Sequence, residues 1–184
     1  MDFEIIKNNS INHFKTINHH KKLVMELCLR AGLYKQGLLH DLSKYTPTEF
    51  IAGALYYQGF RSPNNAQKEA EGYSSAWLHH KGRNKHHYEY WIDYPVHNPD
   101  HLAGMKMPVK YVVEMFCDRV AACKVYKGDA YKDDDALNYY LARCDHYVIH
   151  PETKALLHKL LYMLSVKGEA YTFAYIRKKV LCNM

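Results

Sequence analysis

The stretch Gly37-Leu38-Leu39-His40-Asp41-Leu42-Ser43-Lys44 constrains this chain more than any other. An apolar run ends in an adjacent imidazole and carboxylate, and a lysine follows one helical turn later. A buried polar pair of this kind must be hydrogen-bonded or bound to a metal, or it costs several kcal/mol. The two side chains can share one direction only if a helix ends at that point. Taken alone, the pair reads as a core histidine bonded to a backbone carbonyl, with Asp41 capping the segment after it. Further polar residues on inward faces argue against leaving it alone.

A helical period runs through nearly the whole chain. Ser10 is placed to cap a first long helix carrying Ile11, Phe14, Ile17, His20, Leu23, Val24 and Leu27 at three-and-four spacing, with Gly32 ending it. His20 shares the face of Leu23, Val24 and Leu27, while His19 sits a step round it. A second helix, about Tyr34 to Ser43, carries His40 and Asp41 near its end. Thr46-Pro47-Thr48-Glu49 is a capping box with proline at the first helical position. It opens a helix closed by Gly59. The stretch Arg61 to Asn65 reads as a loop, and Ala66 to Lys81 as helix interrupted near Gly72 and ending in His79-His80.

Four histidines then fall within nine positions, His79, His80, His86 and His87, around the basic loop Lys81 to Lys85. The plain reading is a solvated turn with incidental histidines, and that density makes it uncomfortable. Ile92 to Met107, with Pro95, Pro99, His97 and His101, reads as an irregular surface loop. Pro108 opens a long helix whose stripe is Val109, Val112, Val113, Phe116, Val120 and Cys123. Glu114 and Asp118 lie one turn apart on it, and an aspartate between Phe116 and Val120 is rare unless paired or metal-bound. Three further helices, about residues 133–182, carry packing residues and little chemistry.

Composition agrees with one domain over residues 1–184. The chain is 48% hydrophobic and 24% charged, ordinary for a folded domain with a sizeable core. Its 13 histidines are an excess of the commonest metal ligand. A formal net charge of +6, spread rather than massed, favours small anionic ligands over a nucleic-acid tail. No apolar stretch approaches the roughly 20 residues of a membrane span, and the start Met1-Asp2-Phe3-Glu4 is no secretory signal. Five cysteines without CxxC spacing read as reduced thiols of a cytoplasmic protein. The sequence leaves the oligomeric state open.

Collected in order, the inward polar residues are His20, His40-Asp41, one of His79/His80, one of His86/His87, and Asp118. Imidazoles with carboxylates that can bridge suit one or two divalent first-row ions, and Fe, Mn, Zn, Ni and Co are not distinguished. This order resembles the HD-domain superfamily of metal-dependent phosphohydrolases, in which a lysine often follows the His-Asp pair by three. The set His40-Asp41-Leu42-Ser43-Lys44, Trp77-x-x-His80, Asn84-x-His86-His87-x-Glu89-Tyr90-Trp91 and Glu114-Met115-x-x-Asp118 is similar to an HD-like family of unknown function from bacteria and phages, over about residues 10–125.

The resemblance implies an all-α, single-domain HD-like helical bundle, with the helices of about 133–182 as packing elements. It implies metal ligation by His20, His40, Asp41 and Asp118, with His80 and His87, favoured by the motif match, as ligands of a second ion. His19, His79 and Glu114 stand as alternatives. The two histidine pairs are closer in sequence than is usual for dinuclear members. The expected chemistry is hydrolysis of a phosphoester, with a nucleotide as one candidate substrate. Asp41 would bridge ions or orient water, and His86 would donate a proton to the leaving group. Lys44, Arg83 and Lys85 would hold phosphate oxygens, while Tyr88, Tyr90 or Trp91 would stack on a base. Two other readings remain: a diiron oxygenase on the same scaffold, and a non-catalytic metal-containing module that binds a nucleotide or nucleic acid.

Overall fold

The computed structural model describes residues 3–97 and 99–182. Among these described residues eight α-helices follow in order: α1 Phe3–Ala31, α2 Tyr34–Leu39, α3 Pro47–Leu55, α4 Pro63–Glu71, α5 Ser75–Lys81, α6 Val109–Lys127, α7 Asp135–Leu141 and α8 Pro151–Tyr175. A two-residue hairpin, β1 Ile92–Asp93 with β2 Ala103–Gly104, interrupts them. The result is the expected all-α, single-domain architecture.

The core lies between α1, α6 and α8. Val24, Leu27 and Cys28 meet Val113, Phe116, Cys117 and Val120 of α6, and Leu157, Leu160, Leu161 and Leu164 of α8 close over them. Each such aliphatic or aromatic side chain contributes about 1.5–3 kcal/mol on burial. The C-terminal third is thus part of the core rather than a cover laid on it. A break at Gly168, with φ 72° and ψ 175°, divides α8 into the two helices the period predicts. Glycine alone visits that region freely.

Several local expectations change. Ser10 caps nothing: α1 already runs from Phe3, and the Ser10 hydroxyl donates to the Ile6 carbonyl. Ile11 and Phe14 are exposed, and His13 takes the buried place instead. The stripe turns because α1 is covered by α3 over this stretch and by α6 further on. Thr46 does not cap α3; its hydroxyl donates to the Ser43 carbonyl, and Glu49 is turned into the protein. Pro63 starts α4 inside the stretch read as loop, because proline suits a first helical position. The irregular segment after Trp91 contains the short hairpin, where a Cβ on Gly104 would lie 2.5 Å from the His150 backbone nitrogen. His97 and His101 are exposed, as read.

Candidate metal centre

The His-Asp pair sits where a helix stops. α2 ends at Leu39, His40 is extended (φ −54°, ψ 130°), and Asp41 is left-handed at φ 55°, ψ 28°. Asp41 is the sole non-glycine with positive φ among the described residues. Aspartate tolerates this conformation better than most residues, though at some cost in strain. Lys21 of α1 donates to the freed carbonyls of Leu38 at 3.1 Å and His40 at 2.7 Å. This break in the helix lets both neighbours point inward, where His40 is 1% and Asp41 2% exposed.

Two groups of four side chains meet at Asp41. In the first, ligand atoms of His20, His40, Asp41 and Asp118 lie within 4.8 Å of one another; in the second, those of Asp41, His80, His86 and His87 do. The Asp41 carboxylate divides between them. Its Oδ2 faces His40 Nε2 at 3.3 Å and His20 Nε2 at 3.8 Å. Its Oδ1 faces His80 Nε2 at 3.3 Å and His86 Nε2 at 3.4 Å. Asp118 Oδ1 approaches His20 Nε2 at 3.0 Å and His40 Nε2 at 3.5 Å.

Behind the rings stand two glutamates. Glu114 Oε1 lies 3.0 Å from His40 Nδ1 and 3.3 Å from His86 Nδ1. Glu49 takes His79 Nδ1 with one oxygen and His80 Nδ1 with the other, each at 2.7 Å. A carboxylate on Nδ1 fixes the ring and turns Nε2 toward the centre, which is how metal-binding histidines are held. Asn84 donates to the Ser43 hydroxyl at 2.8 Å beside His80, tying the loop after α5 to the His-Asp turn.

Four carboxylates, Asp41, Glu49, Glu114 and Asp118, stand in or behind the cluster, and Lys44 is the lysine paired directly with one of them. Its Nζ is 2.6 Å from Asp41 Oδ2. Burial opposes charge on Asp41, but His40, Lys44 and His80 outweigh it and hold the carboxyl well below its usual range. Burial likewise opposes charge on Asp118, which His20 and His40 hold well below that range. Burial also works against a proton on His40, yet Asp41, Asp118 and Glu114 push its pKa well above normal. His87 goes the other way: burial, with His86 and His80 beside it, pulls its pKa far down. The excess negative charge must be met by imidazole protons or by metal cations.

The donor set fits metal. Nε2 of His20, His40, His86 and His87, with both oxygens of Asp41, are buried without a well-directed hydrogen bond. Unmatched buried polar atoms are rare and costly. Here four imidazole nitrogens and two carboxylate oxygens converge, with Lys44 beside Asp41 Oδ2 and Asp118 beside His20 Nε2 as ion-pair partners, and that donor set matches first-row transition ions. These buried groups could therefore hold a metal ion.

The other residues read from the sequence are distributed unevenly. His86 and His87 both stand in the second group, and Glu114 lies on Nδ1 atoms rather than with the converging Nε2 atoms. His79 is held by Glu49, and His19 is exposed. Arg83 and Lys85 are exposed; the first donates to the His79 carbonyl, and Lys85 Nζ lies 5.8 Å from the Tyr90 ring. Tyr88 packs on Tyr147, ring centroids 4.7 Å apart. Glu49 escaped the sequence reading, since a capping box accounted for it fully. A carboxylate three residues after Thr46 and one turn before Gly53 carried no other signal. Cys28, Cys117, Cys123 and Cys144 are in no disulfide, and among the described residues no helix is long and apolar enough to cross a membrane.

The chain belongs to a family of unknown function, DUF5662, whose model matches residues 9–163. No curated protein and no solved structure matches it.

Proposed function

We propose that this protein is an HD-type, metal-dependent phosphohydrolase with a two-ion centre acting on a small phosphoester. The observation that carries the reading is the divided Asp41 carboxylate, with one oxygen toward each histidine-bearing group. His20, His40, Asp41 and Asp118 would hold one ion, and Asp41, His80, His86 and His87 the other. A bound metal supplies a water whose pKa falls from 15.7 toward about 7 and a Lewis acid for the phosphoryl oxygen.

The chain's own residues do the rest. Asp41 fixes the spacing of the two halves. Glu114 and Glu49 hold the imidazoles so that Nε2 stays aimed inward. Lys44 and Asp118 are the partly exposed members of the cluster, at 28% and 17% of their side chains, so the open face lies there. Lys44 is placed to take a phosphate oxygen by a charge-assisted hydrogen bond. His86, with Nδ1 on Glu114 and Nε2 on Asp41, belongs with the holders of the centre rather than with a proton donor to the leaving group.

One observation favours a second reading, a diiron oxygenase. Lys44 is the sole lysine or arginine ion-paired with a side chain of the two groups among the described residues, which is sparse for phosphate recognition. Elemental analysis of untagged protein, wild type beside Asp41→Asn, tests both. Two equivalents in the wild type, lost together in the variant, with phosphoester hydrolysis under manganese, iron, zinc, nickel or cobalt, is the expected result. Oxygen uptake without phosphoester turnover would move the assignment to the oxygenase. Metal bound without either activity would leave a binding module.

A further inference from the structure

A cleft of about 430 Å³ lies on the far side of α5 from Asp41. This volume falls within the range of small-molecule sites, about 300–1,000 Å³. One face of α5 makes its wall: Ser74, Trp77, Leu78 and Lys81 recur at helical spacing along it. The buried Ala76 and His80 belong to the other side, where His80 meets Asp41. The helix therefore separates two sites, and Trp77 touches both. Its ring stacks on His80 at 5.7 Å and meets His87 edge-on at 4.8 Å, while also lining the cleft.

The chemistry of the lining is specific in sign. Lys68 and Lys81 make no ion pair among the described residues, and the acids beside Lys68 on α4 are engaged elsewhere: Glu69 by Arg61, and Glu71 by Tyr56 and Gln67. The Lys68 ammonium lies 5.4 Å from the Trp77 ring centre. His146 adds a third group able to carry positive charge, against the one acid, Glu89. An aromatic box for a cation would need the reverse balance. Tyr73 is exposed and offers an open π face, Trp77 and Tyr88 line the cleft with one side of each ring already packed, on His80 and on Tyr147, and Glu89 Oε2 is a buried acceptor without a hydrogen-bond partner.

From this lining we infer that the cleft is a second ligand site, for a nucleoside monophosphate. Its base stacks against the aromatic wall, Glu89 accepts from a base amino group, and Lys68 and Lys81 hold the phosphate. Base–aromatic stacking is worth about 1–3 kcal/mol, and charge-assisted contacts to phosphate add orientation. Of the three aromatics whose sequence context pointed to base stacking, Tyr88 lines this cleft, and Tyr90 and Trp91 do not. Binding in the cleft does not depend on which reaction the metal centre performs.

Equilibrium dialysis with adenosine monophosphate, adenosine and inorganic phosphate tests it, on metal-loaded and chelator-treated wild-type protein and on Lys68→Ala/Lys81→Ala. Both lysines are on the surface of short helices, and bound metal checks that the variant is folded. The expected result is saturable binding of the monophosphate, kept after metal removal and weakened at least tenfold in the double variant with metal content unchanged. Adenosine and phosphate should each bind at least tenfold more weakly than the monophosphate. In Trp91→Phe, where Trp77 is the sole indole, the nucleotide should quench emission with the same midpoint. No saturable binding, binding lost with the metal, or binding indifferent to the two lysines would overturn the proposal. Equal binding of phosphate or adenosine alone would overturn the ligand class.

Discussion

Lys44 Nζ stands 2.6 Å from Asp41 Oδ2, the oxygen that faces His20 and His40. The ammonium and any ion held by the first group compete for the same lone pairs. At an effective dielectric of about 20, two unit charges 4 Å apart repel by about 4 kcal/mol. Lys44→Met keeps an unbranched side chain without the terminal ammonium and so removes that repulsion. Metal should bind the variant at least tenfold more tightly. Phosphoester turnover should fall about 10²-fold, the usual cost of losing one positioned donor to developing charge. Chelator competition and initial rates at saturating metal measure the two effects separately. A variant that binds metal more weakly would show that Lys44 supports the centre instead of opposing the ion.

The two glutamates behind the histidines should respond differently to the same substitution. Glu49 uses both oxygens, one for His79 and one for His80. In Glu49→Gln one imidazole N–H must face an amide NH2. Loss of such an orienting carboxylate weakens metal binding about 10–100-fold. That loss should fall on one equivalent only, because His80 belongs to the second group. Glu114 serves both His40 and His86 through a single oxygen, Oε1. A glutamine oxygen can take its place, so Glu114→Gln should be the milder variant, spread over both equivalents. Metal titrations of the two variants side by side decide this.

The division of labour between those glutamates explains what the sequence could and could not disclose. His20 and Asp118 were legible because each interrupts an apolar stripe on a long helix, where period fixes direction. His40 and Asp41 were legible as a pair for the opposite reason, since only a helix end lets neighbours converge. His86 and His87 lie in a tight turn between α5 and a short 3-10 turn at Tyr88–Trp91. There no period exists, so choosing one of them had no physical basis, and the fold brings in both. Glu49 was hidden by a motif with a sufficient local explanation. Ile11 and Phe14 were misplaced because α1 changes partners along its length, which a single helical stripe does not reveal.

The crossing of α1 and α3 is tight at one point. A Cβ on Gly53 would lie 2.2 Å from His13 Nε2. His13 is 8% exposed and packs on Phe50 and Tyr57, at ring-centre distances of 5.4 and 5.9 Å, so it has little room to yield. Gly53→Ala should destabilise by about 1–3 kcal/mol, as overpacking does. In a His13→Ala background the same change should cost much less, giving a coupling energy of opposite sign. Chemical denaturation of the four proteins of this cycle measures it. An undiminished penalty in the double variant would mean that the helices separate for another reason.

The same histidine gives the fold an acid sensitivity seated outside the group of candidate metal ligands. Burial, with repulsion from Lys44, lowers its pKa from 6.5 to about 4. An unfolded chain therefore takes up this proton near pH 6.5, and the folded one refuses it until near pH 4. Between those values the unfolded state binds more protons, so stability is kept above about pH 6.5 and falls as the pH drops through the window. One group contributes at most about 1.4 kcal/mol per pH unit. Carboxylates held below their usual range add a loss of the same sign at lower pH, so the wild-type slope alone is not diagnostic. The difference between wild type and His13→Gln isolates the histidine. With metal removed from both, unfolding free energies at pH 7 and pH 5 should diverge, the variant losing less by about 1–2 kcal/mol. Parallel pH profiles would place the acid sensitivity in the carboxylates alone.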